Sequence, residues 1–432
     1  MRGATEFGEH GVFMTFEESV EDLSADVASL GFDLPALIAQ RKIVIDYVRI
    51  NRDEIEETGE YDLEGLFIRL DHAIRSVRAK RVVLDTIEAL FAGFSNPGIL
   101  RMELARLFRW LKDKGMTAII TGERGEGTLT RHGLEEYVSD AVIVLDQRVD
   151  DQVSTRRLRI VKFRGSSHGT NEYPFLIGRT GLSVLPITSV GLQHEASLER
   201  VSAGLEALDA MLGGKGFYRG SSILLSGGAG TGKSSLAAHF VDAACRRGER
   251  CVYFLFEESP SQYMRNMQSI GIHLEAWVKA GRLHFHAARP ALLGLEQHLV
   301  AMHRAIEEVR PSVVVVDPIN DLLSVGTVRA VKATLLRLID YLKVSHITAL
   351  FSSLTSGAAH EQTTNTGMSS LMDTWILLRA VEEKAHRHRG LYVLKSRGMP
   401  HSNDVSRYTI TDRGVQILGG STPPRTVTRR AR

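Results

Sequence analysis

The stretch Ser222 to Ala244, SILLSGGAGTGKSSLAAHFVDAA, limits what this chain can fold into more than any other. It reads as an apolar strand, a glycine-rich turn and an amphipathic helix, and Gly227 to Ser234 match the phosphate-loop pattern G-x-x-x-x-G-K-[ST] in full. Backbone N–H groups left unpaired at the start of such a helix, aided by the helix dipole, cradle a nucleotide's phosphates. The candidate nucleotide-binding residues are therefore Gly228, Ala229, Gly230, Thr231, Gly232, Lys233, Ser234 and Ser235. Lys233 is expected to reach the β and γ oxygens and Ser234 to ligate Mg2+. Glycine-rich turns also join strands to helices with no ligand, but such a turn has no need of glycines at both fixed ends followed by Lys-Ser.

With 432 residues the chain is long enough for two or three domains with sizeable cores. Its 53 basic and 51 acidic residues leave a net charge of only +2, so no global pull toward nucleic acid is expected. The two cysteines, Cys245 and Cys251, offer neither metal-ligand spacing nor a disulfide framework and read as buried reduced thiols. There is no run of 18 apolar residues and no signal peptide with a cleavage site. The expectation is a cytoplasmic protein that does not enter a membrane.

The text repeats itself. VFMTFEE, ending at Glu17 and Glu18, returns 240 residues later as VYFLFEE, ending at Glu257 and Glu258. SLGFDL at 29–34 faces SIGIHL at 269–274; RVVLD, ending at Asp85, faces VVVVD, ending at Asp317; KFRGSSH at 162–168 faces KSRGMPH at 395–401. Landmarks matched in one order mark two copies of one α/β unit. The expected division is a first unit over 1–190, a second over 191–418 and a short basic tail, STPPRTVTRRAR, over 419–432 that reads as disordered. In the same register the first copy's phosphate loop falls before Met1, so the first domain is expected to be truncated at its start.

The acids have chemical roles open to them. Glu257 and Glu258 follow a strand, where a carboxylate can orient water or a hydroxyl for in-line attack. Asp317 ends an apolar run fit for a buried parallel strand, where its carboxylate can support Mg2+. Lys395, Arg397 and His401 cluster after YVLKSR, and cations there can neutralise a transferring phosphoryl group. Paired serines such as Ser369 and Ser370 ordinarily mark only a turn or a cap. The charged stretch 123–133 reads as a surface loop.

Taken together, TFEES, FEES, GGAGTGKS, VVVVDPI, MSSLMDT and the two K-x-R-G segments resemble the KaiC family of double-domain, RecA-like ATPases, from about residue 8 to about 418. The resemblance implies two tandem RecA-like P-loop NTPase domains with mainly parallel central sheets, and a hexameric homo-oligomer binding ATP and Mg2+ between subunits. It also implies ATP hydrolysis, autophosphorylation on serine as a serine/threonine protein kinase, a signalling or clock-related role, and a KaiB-like or other signalling partner. By the same resemblance Glu257 and Glu258 activate water or hydroxyl, Asp317 and Ser234 hold Mg2+, and Lys395 and Arg397 act across the interface, with Arg389 a further candidate. Ser369 and Ser370 stand where the family carries its phosphoacceptors. In the first domain Glu17, Glu18, Asp85, Lys162, Arg164 and His168 remain of the same machinery. Ile270 stands where the founding member has a tryptophan near the adenine, and the short tail differs from that member's partner-binding tail. A RecA-like DNA recombinase or helicase and a nucleotide-gated scaffold without turnover are the rival readings; the near-neutral charge disfavours the first and the intact acids the second.

Overall fold

A computed structural model describes residues 1–48, 63–91, 97–125, 129, 138–150, 153–178, 181–184, 196–356, 363–364, 368–383 and 386–418. The chain divides into two compact units, the first made of residues 1–146 and 157–184, the second of 147–156 and 185–432. The expected boundary at 190 and the tail from 419 lie outside the described residues. The fold class is α/β with parallel central sheets, as the sequence implies.

In the second unit the strand Ser222–Gly227 is the keystone. It runs parallel to Thr348–Ser356 on one side and to Thr374–Glu383 on the other, and all six of its residues are buried. Beyond Thr348–Ser356 the sheet continues in parallel through Val313–Asp317, Cys251–Leu255 and Leu283–Ala287. Beyond Thr374–Glu383 it turns antiparallel through His386–Ser396, Ser406–Thr411 and Gly414–Leu418. A parallel strand covered on both faces reads as a nearly continuous apolar run, which is why ILL and VVVV do not alternate, and the buried Ser222 and Ser226 are hydrogen-bonded. Two cores form, one on each face: Phe240 and Val241 of the helix Lys233–Arg246 pack with Tyr253 and Leu378 on one, while Leu299, Leu335 and Leu338 pack with Val316 and Phe351 on the other.

The first unit repeats this plan in register. The order Ile43–Tyr47, Gly11–Thr15, Arg81–Asp85, Thr117–Ile120 matches Leu283–Ala287, Cys251–Leu255, Val313–Asp317, Thr348–Ser356, and every pairing is parallel. The helix Arg2–Glu6 falls in the register of the last turn of Lys233–Arg246, and the left-handed glycine that follows recurs as Gly8, at φ +64°, and Gly248, at φ +90°. The helix Pro97–Asp113 and the strands Ala141–Asp150 and Val153–Phe163 are further along the chain.

The two units differ at the keystone. Among the described residues Thr117–Ile120 ends one four-stranded sheet and Ala141–Asp150 begins another, whereas their counterparts flank Ser222–Gly227 in one sheet. The side chains record the difference: Ile119, Ile143 and Leu145 are 58%, 58% and 53% exposed, against 4%, 2% and 0% for Leu350, Ile376 and Leu378 in register with them. Asp373 shows what the strand's start is tied to. Its Oδ2 accepts the Ser222 N–H and hydroxyl, each at 2.9 Å, and Lys343 bonds the same carboxylate. In the first unit Asp140 keeps the matching lysine, Lys112, at 3.4 Å, but its side chain is 61% exposed against 21% for Asp373. Amide hydrogen exchange over Thr117–Ile120 and Ala141–Leu145 is therefore expected to be about tenfold or more faster than over Thr348–Phe351 and Thr374–Leu378, since strands with few buried side chains open locally; equal protection in the two units would contradict this.

Candidate functional site

The loop after Ser222–Gly227 is shaped by glycine where close approach demands it. A Cβ on Gly227 would lie 2.7 Å from the Leu378 carbonyl oxygen and 2.8 Å from the Thr231 hydroxyl, and one on Gly232 would lie 2.6 Å from Ile410 Cδ1. Gly232 holds φ +89° at the N-cap, a conformation glycine adopts without penalty. At Gly228 and Gly230, by contrast, a Cβ would meet nothing within 4 Å, so the mouth of the loop is open. No side chain caps the helix that starts at Lys233, which leaves its first N–H groups for a ligand.

Lys233 is buried, and its ammonium donates to the Gly227 and Gly228 carbonyls at 3.0 and 2.9 Å. Burial lowers its pKa, opposed by the carboxylates of Asp317 and Glu257. Glu257 has its pKa raised, chiefly by burial and then by Asp321 and Asp317, with Lys233 acting the other way. Glu258 is fixed instead by Asn266, whose Nδ2 donates to Oε2 at 3.0 Å. Asp317, 6% exposed, accepts from the Tyr253 hydroxyl at 2.7 Å and from the Ser352 hydroxyl. These groups share one edge of the sheet because parallel strands deliver their carboxyl ends to the same side. The set fits a magnesium nucleotide: an open ring of N–H donors, a lysine for phosphate oxygens, a serine hydroxyl and a carboxylate. Among the described residues no group of three or more His, Cys, Asp or Glu side chains forms an independent metal cage. A divalent ion bound here would therefore take phosphate and water ligands beside Ser234 and Asp317.

The serines and cations lie elsewhere. Met368–Ser370 form a short 3-10 turn whose carbonyls hold the cations: Lys395 Nζ donates to Ser369 O at 3.1 Å and to Met372 O at 2.8 Å, and Arg397 donates to Ser370 O at 2.8 Å. Burial and the neighbouring Arg397 lower the Lys395 pKa, against Asp373. This cluster sits at the amino end of the keystone strand, where Asp373 grips Ser222, whereas the phosphate loop leaves its carboxyl end. Five residue steps at roughly 3.3 Å separate the two, about 16 Å. One chain does not bring Ser369 or Ser370 to its own Lys233 or Glu258. Arg389, opposite Ala380, lies toward the phosphate-loop end.

In the first unit Thr121 donates to Asp85 as Ser352 does to Asp317, and Thr86 donates to Glu17 at 3.2 Å. Burial and then Asp26 and Asp85 raise the Glu18 pKa. Arg164 lies 3.9 Å from Asp140, as Arg397 lies 3.8 Å from Asp373; Lys162 is next to last in the strand Val153–Phe163, and His168 follows it. The thiols of Cys245 and Cys251 are buried 3.7 Å apart, free of a disulfide. No helix among the described residues is long and apolar enough to cross a membrane.

Sequence reasoning missed several supports of the site. Tyr253 and Tyr263 read as ordinary apolar positions, and nothing in their spacing announces a hydroxyl aimed at Asp317. The Tyr408 hydroxyl donates to the Thr231 carbonyl and Ile410 packs against Gly232, so the last hairpin braces the phosphate loop. Asp373 had a visible signal, since the Asp of MSSLMDT is matched by Asp140.

Comparison with known proteins gives this geometry a family. The profile described as "ATPase: KaiC" matches residues 1–189 and 201–422, one match in each half. The chain is 52% identical to the circadian clock protein KaiC2 of Synechocystis sp. over 97% of its length and 74% of that protein's. It is 36% identical to KaiC3 of the same organism over 95% of its length and 82% of that protein's, and 36% identical to the circadian clock oscillator protein KaiC of Parathermosynechococcus lividus over 96% and 77%. With its phosphate loop, its paired acids and its duplicated RecA-like fold, the chain belongs to the KaiC family of ATPases.

Proposed function

We propose that the second unit binds Mg-ATP at a subunit interface of a homo-oligomeric ring, hydrolyses it, and passes phosphate to a serine of the neighbouring chain in a signalling role. The observation that carries this reading is the separation of about 16 Å between the phosphate loop and the turn holding Ser369, Ser370, Lys395 and Arg397. A chain with one half of a site at each end of its central strand completes it by a head-to-tail contact, and such contacts form a ring where their rotation closes.

In this mechanism the loop N–H groups and Lys233 bind the phosphates, Ser234 and Asp317 hold the metal, and the neighbour's Lys395 and Arg397 leave their carbonyl partners to meet the γ-phosphoryl oxygens. Mg2+, when bound, neutralises charge that develops on the phosphates. Glu258, oriented by Asn266, accepts the proton as a water or serine oxygen bonds to the γ phosphorus and the bond to the β–γ bridging oxygen breaks, releasing ADP. Glu257, nearer Lys233 and Asp317, holds the charge balance around the metal.

Assembly is expected to follow nucleotide. Light scattering at micromolar protein should show a particle several chains in size with Mg-ATP and smaller species without it, and Lys233→Ala should abolish the response; a monomer that persists in millimolar Mg-ATP contradicts the interface site. Incubation with Mg-ATP followed by mass spectrometry should find phosphate on Ser369 or Ser370, slowed about 10²–10⁴-fold in Glu258→Gln, the range for loss of a positioned base. Incorporation undiminished in the Ser369→Ala, Ser370→Ala double variant rules out the autokinase and leaves the ATPase.

A further inference from the structure

Two tyrosines connect the halves of the candidate metal site from behind. Tyr253, on the strand Cys251–Leu255, donates its hydroxyl proton to Asp317 Oδ2 at 2.7 Å. The hydroxyl of Tyr263, on the helix Pro260–Gln268, lies 2.8 Å from that of Tyr253 and 3.0 Å from the backbone carbonyl of Ser234. Tyr253 has one proton and gives it to the carboxylate, so in their mutual bond Tyr263 is the donor; its single proton faces two acceptors, Tyr253 and Ser234. The rings are fixed by packing, 4.8 Å apart and each 5.8 Å from Phe285, and both tyrosines are essentially fully buried.

Packing does not require these hydroxyls. Burying a hydroxyl costs free energy unless it is bonded, and a phenylalanine would fill nearly the same volume. The first unit makes the comparison within the same chain: Phe13 and Leu23 stand in register with Tyr253 and Tyr263 in the same strand and helix. There Thr121 still holds Asp85, so the hydroxyl on the outer oxygen is common to both units and the tyrosine pair belongs to the second alone.

We propose that Tyr253 and Tyr263 are positioning residues that tie the Asp317 carboxylate to the Ser234 backbone, fix the spacing of the two protein groups that receive the divalent cation, and so set how tightly that cation binds. This rests on the reading of Ser234 and Asp317 as the magnesium-holding residues. Outer-shell partners of a metal site ordinarily change metal affinity by about 10–100-fold when removed.

The test uses the full chain and a fluorescent ATP analogue, with binding followed as free Mg2+ is raised and again in excess chelator. Tyr253→Phe is expected to raise the Mg2+ concentration for half-maximal nucleotide binding by about tenfold or more, while affinity in chelator, set by the phosphate loop and Lys233, stays within about twofold of the parent and reports an intact fold. Tyr263→Phe should shift the Mg2+ midpoint the same way by less. The double variant should shift it no further than Tyr253→Phe, because the hydroxyls act as one chain and not as independent contributors. A Mg2+ midpoint in Tyr253→Phe within about twofold of the parent overturns the proposal and leaves the nucleotide site standing, the range being that of a lost outer-shell partner. Absence of any Mg2+ dependence in the parent overturns the magnesium reading itself.

Discussion

The second unit depends on the two-sided burial of Ser222–Gly227. Ile223, Leu224 and Leu225 are at most 2% exposed, and full burial of such side chains contributes roughly 1.5–3 kcal/mol each. The same strand joins the parallel half of the sheet to the antiparallel half and ends in the phosphate loop, so a single element provides core, connectivity and ligand site. In the first unit the corresponding flanking strands lie in separate sheets, and Ile119, Ile143 and Leu145 face solvent.

The charges around that strand suit a ligand that carries both signs. Lys233 is buried at a cost in solvation and answered only by loop carbonyls and by the acids Asp317 and Glu257. Glu257 is crowded by Asp317, Asp321 and Glu258, all of its own sign. A cation carried in with polyanionic phosphate would relieve both conditions, giving the acids a positive partner and the lysine a negative one. At the other end of the strand Lys395 and Arg397 donate to backbone carbonyls, with the Asp373 carboxylate 3.8 Å from Arg397. A phosphoryl group would be a stronger partner than those carbonyls, since charge-assisted bonds are about twice as strong as neutral ones.

Much of this was legible in the sequence because the strongest constraints are local or repeated. The phosphate loop needs glycines at fixed places; the buried strands VVVVD and SILLSG are apolar on both faces; and the duplication carries Glu17 with Glu257, Asp85 with Asp317 and Lys162 with Lys395. What was not legible depends on contacts between residues far apart in the chain. Tyr253 meets Asp317 across 64 positions and Tyr408 meets Thr231 across 177, and neither spacing leaves a trace in periodicity. The distance between the serine turn and the phosphate loop follows only from strand direction, which fixes the two at opposite ends of one sheet.

Nucleotide held at the phosphate loop of the second unit, through Lys233, is the condition on which the proposed assembly and phosphoryl transfer both rest. Denaturing the assembled protein after removal of free Mg-ATP, and measuring released nucleotide against chain concentration, tests this directly. Nucleotide bound in at least equimolar amount to the chain is the expected result, and Lys233→Ala should lower it by an equimolar amount; a value undiminished in that variant would contradict binding at this loop.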